Sequence, residues 1–146
     1  PLLCRLLSQW IADTLGGRTV RKHEVRLERY DWDVTCYIGY TANDTKEICR
    51  ALEDIGCGGD ALSEAYGHLS KDSAERGLTY SNIREKRSVV AVGKSLDRAS
   101  MVNTIGHELL HVVAHVCEAD GIDMTDEEAC YMMGGLCEKV FERIVE

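Results

Sequence analysis

No stretch of this chain is apolar for long enough to cross a bilayer. Its opening, Pro1-Leu2-Leu3-Cys4-Arg5-Leu6-Leu7, is short and broken by Arg5, which disfavours both a spanning helix and a signal peptide. No C-x-x-C pair is present. The cysteines Cys4, Cys36, Cys49, Cys57, Cys117, Cys130 and Cys137 are odd in number, which argues against a disulfide framework and a cysteine zinc knot and fits reduced thiols in a cytoplasm. Positive charge is in short supply as well: the formal net charge is −8, so neither nucleic acid nor a membrane is an expected partner. Arg18, Arg21, Lys22, Arg26 and Arg29 form a local exception, but Glu24 and Glu28 interrupt them, as on a solvated strand face. Internal repeats and low-complexity segments are also missing. The first residue is not methionine, which leaves room for a removed upstream segment.

What is present reads as one globular α+β domain over residues 1–146, with 45% hydrophobic and 29% charged residues. Helical spacing of Leu3, Leu6, Leu7, Trp10, Ile11 and Leu15 predicts a first helix ending at Gly16-Gly17. From Val25 to Tyr40 the period changes to two, with Trp32, Val34, Cys36 and Ile38 on one side, predicting one arm of a hairpin. Asn43-Asp44-Thr45 offers caps for a helix with the stripe Ile48, Leu52 and Ile55, and a second short helix is expected from Asp60 to Leu69. His68, near its end, suits the helix dipole. Leu78 to Ile83 and Ser88 to Val92 read as strands, the second a continuous apolar run. Gly93-Lys94-Ser95 lacks the first glycine of a phosphate loop, which would fall at Ser88.

The next helix is expected from about Arg98 to Asp120, capped by Ser95 or Asp97 and stopped by Gly121. It carries His107-Glu108-Leu109-Leu110-His111, the pattern of a zinc site on a helix. One turn advances about 3.6 residues, so His107 and His111 share a face and can share one metal ion. Glu108, rotated by about 100°, is badly placed as a ligand beside them but suited to taking a proton from water. Uncharged flanks imply a buried site, where two histidines and a carboxylate without a metal would be costly.

A catalytic zinc needs a third protein ligand and an open position. His115 is a poor candidate, because it lies about 12 Å along the helix from His107. The last helix opens with Thr125-Asp126-Glu127-Glu128, which fits a capping box with Thr125 as N-cap and Glu128 reaching back. That leaves Glu127 as the preferred third ligand and Glu128 as the next. Glu127 shares a helical face with Tyr131 and with Gly134, a glycine that would let two helices approach closely. Tyr131 is a candidate to polarise a substrate carbonyl, or equally a core tyrosine.

The segment from Thr104 to Leu136 resembles the zincin metallopeptidases, and within them the gluzincins, whose third zinc ligand is a glutamate on the helix after His-Glu-x-x-His. It is also similar to small His-Glu-x-x-His proteins encoded by gut bacteria and their phages. Residues 104–113 match the extended zincin consensus position by position. The stretch from Glu127 to Gly134 matches more loosely, with Glu128 where gluzincins have a small residue. The resemblance implies a minimal zincin-like domain: a small antiparallel or mixed sheet, an active-site helix and a glutamate helix. It further implies that Ser88 to Gly93 borders the cleft and could pair with an extended peptide. The function expected is zinc-dependent hydrolysis of a peptide or protein substrate, with Glu108 as base. The alternatives are a non-catalytic metal- or peptide-binding regulatory module on the same frame and a metal-free interaction protein.

Overall fold

A computed structural model describes residues 20–71 and 76–145, so the helix expected over residues 2–15 lies outside the described residues. Strand β1 (Arg21–Leu27) runs through a 3-10 turn (Glu28–Tyr30) into β2 (Trp32–Tyr40). A second such turn (Ala42–Asp44) leads to helices α1 (Thr45–Asp54) and α2 (Gly59–Ser70). Strands β3 (Gly77–Asn82) and β4 (Arg87–Gly93) follow, then α3 (Arg98–Asp120) and α4 (Glu127–Val145). The result is a mixed α+β architecture, with a four-stranded mixed sheet ordered β1-β2-β4-β3.

Strand β2 pairs antiparallel with β1 and parallel with β4, which pairs antiparallel with β3. The apolar run Val89-Val90-Ala91-Val92 explains the central place of β4, since a strand covered on both faces needs no polar side. This corrects the expectation that Ser88 to Gly93 borders a cleft: β4 has β2 on one edge and β3 on the other. On that side the edge strand among the described residues is β3, and each of its residues is half-buried, as a strand with one open flank should be. Strand β1 shows the expected solvated face, with Lys22, Glu24 and Arg26 exposed while Val25 and Leu27 are buried. Arg26 binds Asp33 at 2.7 Å and also Asp31.

Helices cover both faces of the sheet. On one, Trp32, Val34, Cys36, Ile38, Val90 and Val92 meet Ile105, Leu109, Val112 and Val116 of α3 and Met132, Leu136 and Val140 of α4. On the other, Tyr37, Tyr40, Val89 and Ala91 meet Ile48 and Leu52 of α1, Ile55, and Ala65 and Leu69 of α2. The pleat of β2 thus sends alternate residues into two separate cores.

Two caps differ from their sequence patterns. The Asp44 carboxylate accepts the Thr41 backbone N–H at 2.8 Å, closing the 3-10 turn and leaving α1 without a side-chain cap. At α4, the Asp123 carboxylate accepts the Thr125 N–H at 2.8 Å and its hydroxyl at 2.7 Å. Thr125 thus lies two residues before the first residue of α4 with its hydroxyl on Asp123, and not as the N-cap of a Thr125/Glu128 capping box. Glu128 instead accepts the Tyr30 hydroxyl at 3.1 Å and pairs with Arg29 at 3.2 Å.

Candidate metal centre

Helix α3 is fixed at both ends. The Asp97 carboxylate accepts the Ser100 N–H at 2.9 Å, and Gly121 takes the left-handed conformation at φ 68°. Between them the stripe Ile105, Leu109, Val112 and Val116 packs inward, which turns His107 and His111 outward. Both histidines are exposed, and so are Val102 and Leu110 beside them. Burial was therefore the wrong reason to expect a metal at the imidazoles; the apolar flanks are partly a solvent-facing surface. Of the three motif residues, Glu108 alone is buried, 6% exposed.

The motif's geometry nevertheless gathers the pair. The Nε2 atoms of His107 and His111 lie 3.2 Å apart, with the rings edge-on at 77°. Zinc bonds nitrogen at about 2.0–2.1 Å, so two nitrogens on one tetrahedral ion are separated by about 3.3 to 3.4 Å. The imidazole pair matches that edge.

Glu108 points to the other side, toward β3. The Thr79 hydroxyl donates to its Oε2 at 2.5 Å, and its Oε1 lies 4.0 Å from His107 Nε2. Gly77 makes this packing possible, because a Cβ at that position would overlap the Glu108 carboxylate. These groups line a hollow of about 430 Å³ that also takes in His68, Leu78, His111 and His115. His68 stands in the last turn of α2, as expected, and its Nε2 is 2.9 Å from the Gly77 carbonyl, which makes it the donor there. His115 Nδ1 is 2.7 Å from Ser81 Oγ. Burial, and after it the neighbouring His111, hold the His115 pKa below the ordinary histidine value, against an opposing pull from Glu118.

The rest of the expected site is not gathered. Among the described residues, no group of three or more His, Cys, Asp or Glu side chains is arranged to hold a metal. Glu127 is exposed at the start of α4, and Tyr131, 77% exposed, does not line the hollow. A Cβ on Gly134 would meet nothing within 4 Å, so this glycine marks no close helix approach. The reason is rotational. Ala129, Met132, Leu136 and Val140 set the inward face of α4, and Glu127 precedes Ala129 by two residues, about 200° of turn.

Sequence reasoning missed Thr79, Gly77 and Ser81. Their signal was the alternation along β3, where Leu78 and Tyr80 join one core while Thr79 and Ser81 face α3. No family model matches this chain, and searches of curated proteins and of solved structures return no match.

Proposed function

We propose that this chain is a zinc-dependent peptidase in which His107 and His111 hold the metal and Glu108 is the general base. The observation that carries the reading is the 3.2 Å approach of the two Nε2 atoms beside a buried carboxylate whose Oε1 is 4.0 Å from one of them. Zinc held there would supply a Lewis acid for a carbonyl oxygen and lower the pKa of water. Glu108, steadied by the Thr79 hydroxyl, takes a proton from a water in the hollow and returns it to the leaving amine. The open flank of β3 offers backbone groups to an extended peptide or protein substrate, the role first expected of Ser88 to Gly93. Glu127 as the third ligand would need its end of α4 to turn toward the pair, so the reading leans on the two histidines. Free thiols at all six described cysteines support a cytoplasmic location, and no described helix is long and apolar enough to cross a membrane.

Among the described residues no third carboxylate joins the pair, which favours a second reading, a metal- or peptide-binding module without turnover. Zinc content of the untagged protein and a peptide-library digest separate the two. Glu108→Gln is expected to keep its zinc and to lose about 10²- to 10⁴-fold in hydrolysis. Equal rates in parent and variant would remove Glu108 from the role of base, and zinc-loaded protein inert toward varied peptides would favour the binding module.

A further inference from the structure

Behind the hollow, a line of hydrogen bonds crosses the sheet from its core to its edge. The Trp32 indole N–H donates to Ser88 Oγ at 2.8 Å, Ser88 Oγ lies 2.7 Å from Ser81 Oγ, and Ser81 Oγ lies 2.7 Å from His115 Nδ1. Trp32 is wholly buried and Ser88 is 1% exposed. The line links three strands, since Trp32 belongs to β2, Ser88 to β4 and Ser81 to β3.

Its direction follows from the first member. An indole nitrogen only donates, so Ser88 must accept from Trp32 and place its own proton elsewhere. Ser81 is the acceptor in reach. Ser81 then has His115 Nδ1 as the acceptor in reach for its own proton, which makes that nitrogen the bare, accepting one. Running the line the other way would leave the buried Ser88 hydroxyl proton without an acceptor among the described residues, which is the costly outcome for a buried donor. Neutral His115 with a bare Nδ1 carries its proton on Nε2.

We infer that His115 is a substrate-binding residue of the proposed peptidase: a neutral imidazole locked as the Nε2–H tautomer, donating to a peptide carbonyl oxygen in the hollow. Trp32, Ser88 and Ser81 are its positioning residues. The inference rests on the peptidase reading for its substrate, and it also excludes His115 as a metal ligand. Nδ1 is engaged by Ser81, and Nε2 bears a proton. The ring lines the same hollow as Glu108 and stacks at 25° on His111, with centroids 6.3 Å apart, which puts it one turn along from the imidazole pair.

The test is the imidazole ¹⁵N spectrum of full-length labelled protein, titrated with Zn²⁺ alone. His115 should show an unprotonated Nδ1 and a protonated Nε2, and should not become a zinc-bound nitrogen when the metal is added. Ser81→Ala at the sheet edge should let the other tautomer appear, and Ser88→Ala should do the same if its far-UV spectrum is retained. In turnover, His115→Phe should lose about tenfold or more in kcat with KM little changed, because a donor to the carbonyl oxygen gains most as charge develops there. His115→Gln should recover part of that loss, since its carboxamide also donates, and both variants should bind zinc like the parent. A Nδ1–H tautomer, loss of zinc in His115→Phe, or full turnover in that variant would each overturn the inference. Inertness of the parent toward every peptide counts instead against the peptidase reading, and leaves the spectrum and the zinc titration to decide whether His115 is a locked donor.

Discussion

At the scale of single residues, Gly77 shows how a group without a side chain governs one with chemistry. Gly77→Ala is expected to destabilise the fold by about 1–3 kcal/mol, as overpacking does, or to push the Glu108 carboxylate off Thr79; urea unfolding alongside peptide hydrolysis distinguishes these outcomes. A variant with parent stability and parent activity would show that the strand yields at no cost. His107, Glu108 and His111 were legible because their spacing on a helix is itself the signal. Gly77, Thr79 and Ser81 were not, because a strand's polar side gains meaning only once the helix beside it is known. Glu127 stands apart from the pair for a related reason: its spacing to Tyr131 and Gly134 is helical, but the stripe from Ala129 to Val140 decides which way that face looks.

At the scale of elements, the bounds of α3 were written in its ends. Asp97 caps and Gly121 stops it, and both residue types have strong local preferences. The start of α4 was less legible, because Thr125 had two carboxylates to choose between and Asp123 stood closer in sequence. Asp97 also gives the helix a dependence on pH. Its carboxyl is held below the ordinary value of 3.8, first by the Ser100 backbone N–H and then by the Ser100 hydroxyl. A depressed carboxyl stabilises the fold above its unfolded pKa, and that contribution is lost as the pH falls through the lower folded value. Asp97→Ala should therefore lower the urea midpoint at pH 7, with parent and variant drawing together below about pH 4. A gap that persisted undiminished at pH 2 would mean that Asp97 acts through something other than its charge.

At the scale of the whole molecule, the strands near Leu78 and Ser88 were legible, but strand order was not, and the single strand read from Val25 to Tyr40 is two arms of a hairpin broken at Glu28–Tyr30. Alternation and apolar runs belong to a segment, whereas the insertion of β4 between β2 and β3 depends on partners far away in the chain. If zinc binds the native chain alone, it should raise the unfolding temperature by mass action. The gain is about 2.7 kcal/mol when free metal stands a hundredfold above its Kd. Thermal melts with zinc and with a chelator check this, and coincident melts would argue that the imidazole pair holds no ion in the folded state.

The parallel pairing of β2 with β4 has a consequence in time. Between these strands the chain must lay down α1, α2 and β3, a long loop to close before any contact rewards it. The hairpin of β3 and β4 and the helix that rests on it follow one another directly in the chain, so Glu108 can meet Thr79, and His115 Ser81, without waiting for that closure. The walls of the hollow thus come from neighbouring stretches of the chain, and it is the sheet behind them that waits for the long closure.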